Sequence, residues 1–515
     1  MTTRRARIHP LANRLLAVAA LLSACTAAPN TLGLRDTGAA DTAVIDQSAV
    51  ADAATVSRDA DQDATADAFR PSAPVTVIDL GAVATAATVV VDIPANAIGF
   101  HLTAEVAPDA VVAFSSVRSP QGDALVDQGK LVGPAFDFPM IGLHTLSLAV
   151  PMTAASQAWA LAGKWSVVLE AYDAQQQPLS TVQLRAYVQT SSDGAFHGGT
   201  LDLRLHIPPG LQLQNPGAKH AVTLQSALRD PAIIARLDAF FAGLRTLYQI
   251  DRGAVTAHGL DARYATIGNI EQVAAALAAT AATPARPALD VVLVNDLRVG
   301  GNVVWGIAGS IPGTASFSAG NNKAGVVLNL SASNNPLGDG LTLVHEMGHF
   351  VGLMHTSELS VVQHDLLSDT PACGPPTLPA QCGDANNIMF PIFFGMTAGK
   401  GIVTSPQQRR VMAAAPIYRG PSSVATTGAL TQTHSDAPAW AAPTATTQAL
   451  VARMLAIGLC GHQPALPVQS FANHRAALRH AVEDPTIWPI LRQRARATLR
   501  ALVPRAGASA NSSSW

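Results

Sequence analysis

Between residues 74 and 192 apolar and polar positions alternate in short runs. VTVIDL, ATVVVDI, AIGFHLTAEV, AVVAFSSV, HTLSLAV, KWSVVLEAY and STVQLRAYV are rich in β-branched residues, and turn signals such as Ser119-Pro120-Gln121-Gly122 separate them. A period of two puts alternate side chains on opposite faces of a strand. Runs of this number and spacing predict an antiparallel β-sandwich over 74–192. From about residue 195 the rhythm is mixed. TLDLRLHI at 200–207 predicts a strand, and the continuous apolar runs LDVVLVNDL (289–297) and AGVVLNLS (324–331) predict buried strands. Over 231–250, residues Ile233, Ile234, Leu237, Phe240, Phe241, Leu244 and Leu247 recur at helical spacing, with Asp230-Pro231 as cap and first-turn pair. That stripe predicts a face buried in the core, not one lying on lipid. A helix is expected from about Asp339, with Leu343, Val344, Met347, Phe350 and Val351 packing around it. Ser405-Pro406-Gln407-Gln408 is a capping-box start for another.

The two ends of the chain follow different patterns. Residues 1–24 join a basic start (Arg4, Arg5, Arg7, Arg14) to LLAVAALLSA, too short to span a bilayer, and so predict an export signal. The run closes on Leu22-Ser23-Ala24-Cys25, which resembles a bacterial lipobox and implies lipidation of Cys25. The alternative is an ordinary secretory signal with an incidental cysteine. Thr26, where Asp would imply inner-membrane retention, directs the expectation to the outer membrane or cell surface. Residues 25–73 are rich in Ala, Asp and Thr and read as a disordered tether; their spaced Asp residues lack the Gly and Glu of a Ca²⁺ loop. Residues 421–445 read as a Ser/Thr/Ala/Pro linker, 446–503 as a helical region and 504–515 as a disordered tail.

Composition narrows the classes. At 515 residues two to four domains are expected, and 48% hydrophobic content is ample for their cores. A net charge of −2 gives no electrostatic footprint for nucleic acid or for polybasic membrane binding. The four cysteines form neither a CxxC site nor a disulfide framework.

The densest chemistry lies at 345–355, HEMGHFVGLMH. His345 and His349 stand one helical turn apart on one face and could share a Zn²⁺, with Glu346 beside them to handle a proton. Gly352 is placed to end the helix in a left-handed conformation, which lets the chain bring His355 back to the same metal. With 15 His and 39 Gly in the chain, chance yields HExxHxxGxxH about once in 10⁵ such sequences.

The stretch resembles the metzincin clan of zinc endopeptidases. Further on, Asp369-Thr370-Pro371-Ala372-Cys373 and then Asn387-Ile388-Met389 resemble the pappalysin branch of that clan. The resemblance covers roughly 195–420 and implies a multidomain chain. In it an α+β metzincin-like catalytic domain follows the β-sandwich and precedes a small helical region. It implies one catalytic Zn²⁺ held by His345, His349 and His355, Glu346 as general base, and Met389 as the base of a tight turn under the metal. The lower strand of the clan's sheet lines the cleft; 324–331 is either that strand or its neighbour. Pro391 stands where a Tyr is often found, which puts a Tyr-assisted transition state in doubt. In an exported protein Cys373 and Cys382 could close a local disulfide, with two free thiols as the alternative. Asp365 and Asp369 could bind a structural Ca²⁺, as in some relatives, or be solvated loop carboxylates. His364 reads as a loop histidine. The expected substrate is protein or peptide, with the membrane reached through the N-terminal lipid. The competing class is a surface binding protein or adhesin whose protease domain is degenerate or processes only its own chain. Ser-Pro-Gln-Gly and Gly163-Lys164-Trp165 resemble β-sandwich accessory domains of bacterial proteases; spacer, folding-assistant and binding roles for the sandwich stay open.

Overall fold

The structure, a computed structural model, describes residues 75–419 apart from 134–137, 139, 216–217, 281–286, 300–301, 315–322, 333–334, 358–363, 374–380 and 392–400, together with 432–433. The signal at 1–24, Cys25, the whole tether to residue 73 and the tail-side segments 446–503 and 504–515 lie outside the described residues. So does the linker 421–445 except for Gln432–Thr433.

The alternating runs form ten strands: β1 (Thr76–Ala84), β2 (Thr88–Ile93), β3 (Ala97–Glu105), β4 (Val111–Arg118), β5 (Ala124–Asp127), β6 (Lys130–Leu131), β7 (Ile141–Leu143), β8 (Thr145–Val150), β9 (Gly163–Tyr172) and β10 (Thr181–Thr190). They make two antiparallel sheets, ordered β1-β10-β3-β8 and β2-β9-β4-β5-β6, with β7 beside β4. Phe100, Leu102, Phe114, Leu148, Trp165 and Leu184 fill the space between them. Trp165 is fully buried and donates its indole N–H to Leu161 O at 2.7 Å, so its one polar atom is satisfied.

The second body opens with β11 (Gly199–Ile207), the hairpin β12 (Leu211–Asn215) and β13 (Ala218–Val222), α1 (Pro231–Tyr248) and β14 (Ile250–Gly259). Then come β15 (Thr266–Ile267), α2 (Ile270–Ala278), β16 (Leu289–Val294), β17 (Asp296–Val299), β18 (Asn302–Val303), β19 (Gly306–Ala308) and β20 (Val326–Asn329). It closes with α3 (Pro336–Val351), α4 (Pro406–Ala414), β21 (Tyr418–Arg419) and β22 (Gln432–Thr433). The main sheet runs β19-β20-β16-β11-β14-β22, with β21 on β11. β20, β16, β11 and β14 are parallel, and β19 is an antiparallel edge.

One face of this sheet packs Leu201, Leu203, Leu205 and Ile207 against α1 and α3. The other carries Val292, Val294 and Val327 against α2. Charged side chains are also buried in this body. Arg204 donates twice to Asp290, at 2.8 Å each, and His206 Nε2 lies 2.7 Å from the same carboxylate. These groups point to the face away from α3, as their alternation with Leu203 and Leu205 requires.

Several expectations are corrected. The helix bearing the histidines starts at Pro336, not near Asp339, because Asn335 caps it and accepts from Leu337 N–H at 3.0 Å. Its glycine-rich first turns become helical by tertiary packing: a side chain at Gly340 would collide with Ala239 and the Phe240 backbone of α1. The run 289–297 is two strands, turned at Asn295, whose side chain bonds Gln212 N–H and Gly210 O. The strand within 324–331, β20, which the sequence left as either of two strands, lies inside the sheet, and among the described residues the end strand beside it is β19. Two residues of the expected linker, Gln432 and Thr433, pair with β14.

Candidate metal centre

α3 carries His345, Glu346 and His349 and ends at Gly352, which takes φ +118° as the left-handed cap. Leu353 N–H then bonds Gly348 O at 2.8 Å. This turn reverses the chain within three residues and returns His355 to the helix face. The Nε2 atoms of His345 and His355 lie 3.2 Å apart, and those of His349 and His345 lie 3.1 Å apart.

The tautomers follow from the backbone. A carbonyl oxygen only accepts, so His345 Nδ1–H donates to Ile388 O at 2.7 Å and His349 Nδ1–H to Leu353 O at 2.8 Å. Their Nε2 lone pairs therefore face one another and His355 inside a site where all three residues are buried. Such lone pairs repel unless a cation lies among them. A tetrahedral Zn²⁺ with Zn–N of about 2.0–2.1 Å needs its nitrogens roughly 3.3 Å apart, close to the spacing here. The three histidines thus form a group that could hold a metal ion, and the backbone carbonyls orient two of them as an outer shell would.

Glu346 is 5% exposed and sits beside this group on α3. Burial pushes its carboxyl up to about 8, opposed by a hydrogen bond from Ala308 N–H of β19. A cation at the histidines would draw that value down. Its Oε2 has no hydrogen-bond partner. Room for the side chain comes from Gly306, where a Cβ would lie 2.6 Å from Glu346 Cγ.

Met389 lies beneath the helix, fully buried, with its sulfur against Gly348 so closely that a Cβ there would overlap it. Its turn is held by Met389 N–H to Asn387 Oδ1 at 2.9 Å and Phe390 N–H to Asn387 O at 3.0 Å. The turn also supplies Ile388 O to His345 and Met389 O to Thr356 N–H, next to His355. Cys373 and Cys382 are joined by a disulfide that packs on Phe390. As disulfide sulfurs they are not thiolate ligands, although Asp384 lies close to them.

The acidic loop residues are arranged otherwise than as free carboxylates. Asp365 is buried and accepts from Thr370 Oγ–H at 2.8 Å; burial pushes its carboxyl up to about 7, and Asp369 and Asp384 add to that. Asp369 is exposed and accepts from Gln407 N–H at the start of α4. Among the described residues neither belongs to a group of three metal ligands. His364 bonds Ser357 at 3.1 Å and is not one of the three grouped histidines. Sequence reasoning missed Gly306, Ala308 and Gly348, the first two because β19 is only three residues long and gives no periodicity.

No protein-family model matches the chain, and no curated protein matches it. Among solved structures it is similar to metalloproteinase-II from Bacteroides fragilis, at 14% identity and a TM-score of 0.21. The match covers 36% of this chain and 57% of that one, under two thirds of its length. At so low a score the two folds do not superpose as wholes, and the chemistry of the site rests on its own geometry.

Proposed function

We propose that the chain is a zinc-dependent endopeptidase of the metzincin type, most like the pappalysin branch, exported and anchored by a lipid on Cys25 at the outer membrane or cell surface. The observation that carries this reading is the convergence of the His345, His349 and His355 nitrogens beside a buried, half-satisfied Glu346. β19 supports it: an antiparallel sheet edge next to the catalytic carboxylate is where an extended peptide can add as a strand.

His345, His349 and His355 would hold the ion, and Met389 and the carbonyls of Ile388 and Leu353 would keep them aimed. Zinc in such a site supplies Lewis acidity towards a scissile carbonyl and lowers the pKa of water towards about 7. Glu346 takes a proton at Oε2, the oxygen without a partner, and passes it to the leaving amine. Ala308 N–H keeps that carboxylate in place during the transfer.

The test is Glu346→Gln in the full chain. Because Glu346 is not a ligand, zinc stoichiometry and thermal stability should hold, while kcat/KM on a cleaved peptide falls at least about 10²-fold, equivalent to about 2.7 kcal/mol. Equal activity in both proteins would move the proton work to another residue. Zinc binding with no cleavage by either protein would favour the binding-protein class.

A further inference from the structure

We infer that the β-sandwich is a positioning module for the third ligand, His355, and that Met354 and Leu366 are the residues through which it acts. This rests on the zinc reading above. His355 differs from the other two histidines in its support. His345 and His349 are fixed by α3, whereas His355 lies beyond Gly352 in a segment without regular structure. Within its own body that segment is tied by Leu353 N–H to Gly348 O, by His349 Nδ1–H to Leu353 O and by Thr356 N–H to Met389 O.

Further support comes from the sandwich. Met354, the residue before the ligand, is buried in the sandwich's core cluster rather than in the cluster of the second body, and so is Leu366. Leu366 O accepts from Ala154 N–H at 2.7 Å, in the turn after β8. A Cβ on Gly133 would lie 2.8 Å from the Leu366 side chain. Gly352 itself rests on β8 and its turn: a Cβ there would lie 3.2 Å from Ala149 Cβ and 3.8 Å from Met152 Cγ. Ser147 of β8 reaches Thr314 at 3.4 Å, and Gly313 N–H in turn bonds Phe350 O of α3 at 2.8 Å. Met354 and His355 are adjacent in the chain, so Met354 held in the sandwich core fixes the backbone from which His355 reaches His345 and His349.

The experiment uses the full chain, with Co²⁺ as the probe, and compares Met354→Ala, Met354→Leu and Leu125→Ala. Leu125 lies in β5, belongs to the same sandwich core and is fully buried, so its truncation loosens the sandwich at a strand not joined in sequence to the ligand segment. Outer-shell supports are typically worth about 10–100-fold in metal affinity. Met354→Ala should weaken Co²⁺ binding by that factor and shift its visible spectrum, with Met354→Leu restoring both to within about twofold. Hydrogen exchange at the Leu353 and Thr356 amides of the metal-free chain should rise in Met354→Ala and not in Leu125→Ala. The inference is overturned if wild type and Met354→Ala bind Co²⁺ alike, or if Leu125→Ala weakens binding as much as Met354→Ala does. Failure of wild type to bind Co²⁺ would instead overturn the metal reading on which it rests.

Discussion

Arg236 and Asp339 join α1 to the helix that carries the histidines, and removing the cation should cost more than removing both charges. Arg236 Nε donates to Asp339 Oδ2 at 2.6 Å and Nη1 to Ala232 O at 2.9 Å, with both residues buried. The adjoining void, lined by Leu237, Gly340, Leu343 and the sheet leucines, holds about 10 Å³. That is at the limit for a single water, which needs about 10–15 Å³ and polar partners. Breaking a buried pair from one side costs about 3–5 kcal/mol, and the lost bond to Ala232 O adds about 1 kcal/mol. For a body of this size each kcal/mol lowers Tm by about 2–4 °C, so a loss of about 4–6 kcal/mol in Arg236→Met should lower Tm by roughly 8–24 °C. The double change Arg236→Met/Asp339→Leu removes both buried charges and fills the same volume. It should return to within about 1 kcal/mol of wild type. The assay is a double-mutant cycle by urea unfolding of the full chain, with zinc content measured alongside. A loss under about 1 kcal/mol for Arg236→Met, or a double variant no better than the single, would refute the account of how α3 is seated.

Two further outcomes can be checked. Gly348→Ala pushes a methyl into the Met389 sulfur, so stability should fall by about 1–3 kcal/mol and Co²⁺ affinity should fall with it; unchanged values in both would mean that Met389 does not brace the helix. His101 lies buried on the sandwich face that meets the second body, and burial lowers its pKa from 6.5 to about 3. A depressed folded-state value means that stability is fully present above 6.5 and is lost as pH falls towards 3, by about 3 kcal/mol at pH 4. His101→Leu should flatten that acid slope in a pH series of unfolding curves, and an unaltered slope would exclude His101 as its source.

The sandwich strands, α1 with its Asp230 cap and α4 with its capping box are legible in the sequence because each depends on local periodicity or on a cap a few residues away. The HExxHxxGxxH spacing likewise names the three histidines, since helix pitch puts two on one face and one left-handed glycine turns the chain back towards them. What the sequence does not carry is anything that depends on partners distant along the chain. The edge strand β19 is too short to show a period, and it exists because β20 supplies its hydrogen bonds. The first turns of α3 contain Gly338 and Gly340, poor helix formers that packing on α1 overrides. Asp365 reads as a surface carboxylate until the fold buries it, and Arg204, His206 and Asp290 are scattered charges until two parallel strands place them side by side. The support of His355 is decided at the same level: Met354 is one more apolar residue in the sequence, and only the docking of the sandwich determines which core receives it.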